Sequence, residues 1–210
     1  RSGAKRMNEA GRPTIAVFMS AYDEPQEWVR QSIDSALAQT WQNVHLYIVF
    51  DNPSGDLEDY LDERACDSRI TLIKNERNLG VVGSQNAALR RITEDYIARL
   101  DADDIALPTR LEREMAFMEM HDLDFVMSAA ASIDDQGSVL GLKETPDLLT
   151  ENFIEIERIT NLSIHSSWLV KRSVYGKLKG YRCVDCCEDY DFLLRSLQAG
   201  IKVGRIADPL

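Results

Sequence analysis

Hydrophobic and polar positions switch between two periods along the first hundred residues. Residues 14–20 form a short apolar run rich in strand formers, too short for a stable helix, and predict a strand. Pro25 then opens a helical pattern in which Trp28, Ile33, Ala36 and Leu37 make an apolar stripe. Residues 44–50 predict a second strand, closed by the turn sequence Asp51, Asn52, Pro53, Ser54 and Gly55. Leu57, Tyr60 and Leu61 mark a helix, and 70–73 a third strand. A polar, glycine-containing connection over 75–83 leads to a helix over 84–92, and 96–100 is the fourth strand. Four strand–helix alternations at this spacing imply right-handed crossovers and a mostly parallel sheet covered on both faces.

The second half is less regular. A helix is predicted from Pro108 to about Met120, and the strands 125–133 and 139–142 flank Asp134, Asp135, Gln136 and Gly137, a hairpin-turn sequence. Residues 153–159 predict a helix, 167–170 a short strand, 188–199 a helix stopped by Gly200, and 201–206 a last strand. Residues 1–12 are polar and aperiodic and read as an expression remnant, linker or interdomain segment, leaving 13–210 as one domain. The sequence ends almost as soon as that last strand begins, which reads as truncation.

Charge narrows the partners. Lys and Arg number 24 against 35 Asp and Glu, a formal charge of -11, which argues against nucleic acid and suits a divalent cation. No apolar run approaches the ~20 residues needed to cross a bilayer, and no signal-peptide pattern opens the chain. Cys183, Cys186 and Cys187 invite a zinc reading, but no second ligand pair stands nearby; with Cys66 they are expected to be free thiols in a reducing cytoplasm.

The strongest chemical signal is Asp101, Asp103 and Asp104, three carboxylates within four residues at the end of the fourth strand. Like charges this close repel unless water or a cation screens them, and the hard oxygens suit Mg2+ or Mn2+. In open parallel sheets ligands bind beyond the carboxyl ends of strands. Two further polar clusters fall there: residues 20–24, and Asp51 with Asn52. Neither a Walker A sequence nor a G-x-G-x-x-G motif is present, so bound phosphates would need that cation.

In their order and spacing these parts resemble a family 2 glycosyltransferase of the GT-A fold, from Thr14 onward. The parts are Ser20, Ala21 and Tyr22 after the first strand, a helix ending in Ser35, Ala36, Leu37, Ala38, Gln39 and Thr40, and a strand ending in Asp51. Asn75, Asn78, Gly80 and Asn86 follow, then Leu100, Asp101, Ala102, Asp103 and Asp104, and finally Glu188, Asp189, Asp191 and Phe192. The resemblance implies a Rossmann-like, mostly parallel α/β sheet, with a nucleotide-binding half to residue 104 and a smaller mixed acceptor-side region over 105–210. It implies an inverting enzyme that moves a sugar from a nucleotide-diphosphate donor, typically a UDP-sugar, to a glycan or glycolipid hydroxyl. Polysaccharide or glycolipid assembly in the cytoplasm, at the inner face of the membrane, is the setting implied, with peripheral association through regions outside this chain.

Residue by residue, the resemblance has Ser20 and Tyr22 lining base and ribose, with Ala21, Glu24, Asn78, Gly83 and Ala102 also on the donor. Asp51 would accept from uracil N3–H, Asp101 would lie toward the ribose, and Asp103 would hold Mn2+ or Mg2+, with Asp104 an alternative or second contact. Asp189 would be the catalytic base; the competing reading of Glu188 and Asp189 is an acidic first turn offsetting the helix dipole. Asp191 is expected to be structural. Glu188 and His165 fall on the acceptor side, although a lone histidine is more often a satisfied structural residue, and Trp168 is expected in the core.

The chain departs from the family pattern at Met19 to Asp23, where Pro-Thr-Tyr-Asn is usual, and at Gln85, where an arginine is common. A haloacid-dehalogenase-type phosphatase carries its paired aspartates on the first strand, not the fourth. A sugar nucleotidyltransferase opens with a glycine-rich basic loop, which Tyr22, Asp23, Glu24 and Pro25 do not make. A degenerate nucleotide-sugar-binding domain of a larger synthase is the non-enzyme alternative.

Overall fold

Burial with a period of two along the first strand sets the architecture. In β1 (Ile15–Ala21), Ile15, Val17, Met19 and Ala21 enter one hydrophobic cluster, whereas Ala16 and Phe18 enter a second on the opposite face. A strand buried on both sides must be interior to a sheet with helices on both faces. A computed structural model, which describes residues 11–142, 146–157, 161–184 and 187–210, shows that arrangement.

In the first half, β1 is followed by α1 (Gln26–Leu37), β2 (Val44–Phe50), α2 (Glu58–Arg64), β3 (Ile70–Lys74), α3 (Gly80–Leu89) and β4 (Tyr96–Arg99). These strands pair in parallel in the order β3-β2-β1-β4. Helices α1 and α2 bury Val29, Ile33, Ala36 and Leu61 on one face, while α3 buries Ala88 on the other. The chain therefore reverses its direction of travel across the sheet at β1, and a crevice opens between the carboxyl ends of β1 and β4.

The second half contains α4 (Arg110–Met120), β5 (Phe125–Ala129), β6 (Ala131–Ile133), β7 (Val139–Leu142), β8 (Leu148–Leu149), α5 (Thr150–Glu157), β9 (Leu169–Lys171), α6 (Arg172–Leu178), α7 (Glu188–Gln198) and β10 (Val203–Pro209). Here the sheet is mixed: β9 lies antiparallel between β4 and β5, β10 runs parallel to β5, and β8 is an antiparallel edge. The α/β expectation and the mixed second region both hold.

Boundaries differ where tertiary contacts override local pattern. Helix α3 starts at Gly80 rather than at residue 84, because Asn78 Oδ1 accepts the Gly80 N–H at 2.8 Å and Gly80 takes φ +68° to begin the first turn. The single strand expected over 125–133 breaks at Ala130, so β6 leaves the main sheet and pairs only with β7. Helix α5 starts three residues earlier than predicted, and residues 158–160 lie outside the described residues. Strand β9 is displaced by a 3-10 turn over His165–Ser167. Helix α6 and strand β8 were not expected. The first has seven residues with Gly176 inside, and the second only two, too little for periodicity to register.

Two polar devices hold the layers together. Asn86 on α3 donates to the Tyr181 carbonyl and accepts the Tyr181 N–H, both at 3.0 Å, which ties the loop after α6 to α3. Gly180 fits beneath it with φ +72°, and a Cβ there would collide with Asn86 Oδ1. On α4, Arg110 and Glu114 form a fully interior pair at 3.1 Å. Burial pushes the Glu114 carboxyl up to about 7, with the Arg110 guanidinium opposing but not cancelling the rise.

Asn86→Ala leaves both backbone groups of Tyr181 without their partners, and denaturant unfolding should show a loss of about 1–3 kcal/mol. The folded pKa of Glu114 exceeds its unfolded value of 4.5, so the native state holds the extra proton between 4.5 and about 7. Its stabilising contribution is present in full below pH 4.5 and declines as pH rises to about 7. Unfolding midpoints measured across that window should flatten in Glu114→Gln relative to the parent.

Candidate functional site

One part of the candidate site is built where β1, β2 and β3 end. Asp51 follows β2, is buried, and has its N–H bonded to the Ala21 carbonyl at 3.0 Å. Its Oδ1 accepts from Asn75 Nδ2 at 2.7 Å and from the Leu79 N–H at 2.8 Å, and Asn75 also donates to Ser84 Oγ at 3.0 Å. The carboxylate is thus oriented by the loop before α3, with Oδ2 left over as an acceptor. Across the crevice Tyr22 is exposed, its N–H donating to Glu24 Oε2 at 2.8 Å and its carbonyl accepting from Asn52 at 3.1 Å. Glu24 accordingly shapes the Tyr22 loop, and Asn78 caps the turn into α3. Ser20 is half-buried at the end of β1. Gly83 sits inside α3, where a Cβ would approach Leu79 Cβ to 2.6 Å, so helix–loop packing already accounts for it.

The acidic loop begins one residue after β4, and each of its carboxylates has a different environment. Asp101 is paired with Arg99 at 2.5 Å, and that guanidinium is almost wholly interior, also donating to the Leu100 carbonyl at 2.6 Å and lying over the Phe18 ring. Part of the screening cation is therefore supplied by the chain itself. Asp104 is hydrogen-bonded by Ser166; crowding raises its pKa above the usual carboxylate value, through desolvation first and then repulsion from Asp101 and Asp103. Asp103 is exposed and makes no ion pair or hydrogen bond among the described residues. Ala102 is buried beneath it.

Helix α1 holds this loop by its backbone. Ser32 Oγ donates to the Asp101 carbonyl at 2.8 Å, Ser35 Oγ accepts the Ala106 N–H at 3.1 Å, and Gln39 donates to the Leu107 carbonyl at 2.9 Å. Ser32 and Ser35, three residues apart, share one face of α1, and Gln39 lies two residues past its end. From below, Arg110 donates to the carbonyls of Arg99 at 2.8 Å and Trp168 at 3.3 Å.

The region before α7 is organised around buried aromatics. Trp168 is fully buried with its indole N–H on Ser163 Oγ at 2.9 Å, as expected for a core residue. His165 Nε2 meets Tyr181 Oη at 2.8 Å and its ring packs edge-on against Trp168. Burial, with Arg99 nearby, keeps the imidazole pKa well below its ordinary value, so His165 is a neutral, satisfied part of this network. Asp189 stands in the first turn of α7, half-buried, its Oδ1 accepting the Tyr190 N–H at 2.7 Å, close enough to Tyr181 for its charge to push that phenol further up. Glu188 occupies the same turn. Asp191 is structural: it is clamped by Arg182 and by Arg195, the latter at 2.7 Å.

Asp51, the Tyr22 loop and the acidic loop thus share the carboxyl-end side of the sheet. Asp189 stands on α7 near Tyr181, whose loop is tied down by Asn86. Among the described residues no three His, Cys, Asp or Glu side chains converge as a preformed metal site. Hard oxygens on an open loop, backed by a buried cation, fit an ion held by one or two carboxylates and completed by substrate phosphates. Cys66, Cys183 and Cys187 are free and exposed, while Cys186 lies outside the described residues. No helix among the described residues is long and apolar enough to cross a membrane. Sequence reasoning assigns no role to Arg99, Ser84 or Ser32; Asn75 and the run Ser35 to Thr40 appear in it only as family marks without a role.

Comparison with known proteins agrees with this geometry. A glycosyltransferase of Methanocaldococcus jannaschii is 38% identical over 198 residues, covering 91% of this chain and 67% of the relative. An Escherichia coli protein named as a UDP-Glc:α-D-GlcNAc-diphosphoundecaprenol β-1,3-glucosyltransferase is 29% identical, covering 90% of this chain and 72% of its own. The crystal structure of Staphylococcus aureus TarS residues 1–349 with UDP-GlcNAc superposes with a TM-score of 0.73 at 16% identity, covering 93% of this chain. The chain spans 56% of that solved structure. The sequence model for glycosyl transferase family 2 matches residues 16–179, and the chain belongs to that family.

Proposed function

We propose that the chain transfers a sugar from a nucleotide-diphosphate donor, a UDP-sugar, to a hydroxyl of a glycan or glycolipid acceptor, inverting the anomeric centre. One observation carries this reading: the ends of β2 and β4 deliver two carboxylates with separate supports to the carboxyl-end side of the sheet. Asp51 is held as an acceptor by Asn75 and the Leu79 N–H, Asp103 stands open in the acidic loop, and Asp189, in the first turn of α7, is taken as the base. The E. coli relative, named for a UDP-glucose donor and a lipid-linked acceptor, supports the donor and acceptor classes.

In the reaction, Asp51 and the Tyr22 loop bind the nucleoside, and Asp101, neutralised by Arg99, faces the ribose. Asp189 accepts the proton of the acceptor hydroxyl as its oxygen forms a bond to the anomeric carbon. On the opposite face the bond from that carbon to the phosphate oxygen breaks, and the nucleoside diphosphate leaves with the electron pair. A divalent cation, Mn2+ or Mg2+, held by Asp103 and Asp104 would supply neutralisation of the diphosphate charge. The protein's part is to place the two carboxylate groups apart, one at the leaving group and one at the acceptor.

Calorimetry with UDP should show binding that strengthens with Mn2+, and Asp103→Ala should abolish that metal-dependent gain, a loss of tenfold or more. Affinity indifferent to both the metal and the substitution would remove Asp103 from the role. Asp189→Asn should keep UDP affinity within about twofold while transfer, read as nucleotide released in a donor and acceptor screen, falls by about 100-fold or more. Transfer that survives the change places the base elsewhere.

A further inference from the structure

The acidic loop carries three carboxylates, yet among the described residues no three acidic, histidine or cysteine side chains converge as a metal site. Asp101 is the member that is withdrawn. Its Oδ1 lies 2.5 Å from Arg99 Nη2, so one carboxylate oxygen is engaged by a guanidinium beneath the loop. Its carbonyl is fixed as well, by Ser32 Oγ at 2.8 Å and by the Asp104 N–H at 3.2 Å. Side chain and backbone of Asp101 are thus both held, while Asp103 stays exposed and free of any ion pair or hydrogen bond among the described residues.

A metal ion cannot readily take the place of Arg99. Its side chain is only 3% exposed, its Nη1 donates to the Leu100 carbonyl at 2.6 Å and the Phe18 carbonyl at 3.4 Å, and its guanidinium lies 4.9 Å above the Phe18 ring. These contacts fix it in the sheet interior. A guanidinium stays protonated at every working pH. An ion that took Asp101 as a ligand would therefore strand a buried positive charge without its counter-ion, which is strongly unfavourable. Asp103 and Asp104 remain available to a cation. Hard divalent ions of this class want an all-oxygen shell, and one or two carboxylates hold them only when substrate phosphates complete it. Arg99 also cancels one of the loop's three negative charges, which lowers the attraction for a free cation.

We propose that Arg99 is a positioning residue that makes cation binding conditional on the donor: by keeping Asp101 out of the ligand set, it leaves the loop unable to hold a divalent ion until a diphosphate supplies the missing oxygens. The role of the diphosphate rests on the transferase reading above; the withdrawal of Asp101 rests on the geometry alone. Ion and nucleotide diphosphate then enter the loop together, and the loop's hold on the ion falls again when the nucleotide leaves.

The test removes the guanidinium and reads metal affinity rather than turnover. Mn2+ alone is titrated into the chain at fixed ionic strength, with the free ion measured by electron paramagnetic resonance, and the titration is repeated with saturating UDP. In the parent, UDP should tighten Mn2+ binding about tenfold or more. Arg99→Met fills the interior with apolar atoms, and Arg99→Gln keeps an N–H donor for the Leu100 carbonyl; near-UV circular dichroism and the thermal midpoint verify that each folds. Without UDP, both should bind Mn2+ about tenfold or more tighter than the parent, and the further gain from UDP should shrink. Combining Arg99→Met with Asp101→Asn should return Mn2+ binding without UDP to within about threefold of the parent, because the released ligand is gone. Folded neutral variants that bind Mn2+ alone no better than the parent make Arg99 a structural brace and overturn the proposal. A double variant as tight as Arg99→Met overturns it too, since Asp101 is then not the withheld ligand. Mn2+ binding by the parent that UDP leaves unchanged, although UDP binds, overturns the dependence on the donor. Tightening in the neutral variants with no UDP bound by any of the chains overturns the transferase reading and leaves Arg99 as the group that withholds Asp101.

Discussion

Three carboxylates can occupy four consecutive residues only if something offsets their mutual repulsion, and the interior of this sheet does so with Arg99. Its guanidinium sits in low dielectric, where the pairing with Asp101 at 2.5 Å is felt strongly and a lone charge would be costly. Its Nη1 donates to the carbonyls of Phe18 within β1 and of Leu100 just after β4, while Nε has no partner among the described residues. The acidic loop is therefore anchored at its first carboxylate, and again at Asp104, which is crowded but held by Ser166, while Asp103 between them stays open.

Backbone restraint complements this charge pairing. Ser32 and Ser35 on α1, with Gln39 just past its end, bind backbone groups of residues 101–107, and Arg110 takes carbonyls beneath, so these restraints use none of the loop's carboxylates. The same economy appears at Asp51, oriented by Asn75 and the Leu79 N–H, and at the approach to Asp189, fixed by Asn86 holding Tyr181. Asp51 thus has a neutral amide behind it, Asp101 a buried cation and Asp104 a hydroxyl, while Asp103 is left without a partner among the described residues.

Much of this was legible in the chain. Period-two burial and the regular strand–helix spacing announced the first half of the sheet, and the ends of β2 and β4 carried Asp51 and the aspartate cluster in plain sight. The second half was less readable because its elements are short: α6 exists through the packing of Val174 and Tyr175 and through the left-handed residues Lys179 and Gly180 that stop it, not through a long apolar stripe. The break at Ala130 likewise follows from where β5 loses its sheet neighbours. Arg99 was read as one residue of an apolar strand, and no local rule says that a strand arginine turns inward to meet a carboxylate two residues on.

Sequence alone determined the class of fold, the order of its motifs and the identity of the carboxylates, because hydrophobic period and residue type are local properties of the chain. Tertiary structure decided the division of labour among them. Which aspartate is neutralised, which is crowded and which is open depends on groups drawn together from distant segments: Ser32 and Ser35 on α1, Gln39 just after it, Arg110 on α4, Ser166 before β9 and Tyr181 after α6. Charge and solvation at a side chain are set by everything within a few ångströms in space, and only the folded chain specifies what that is.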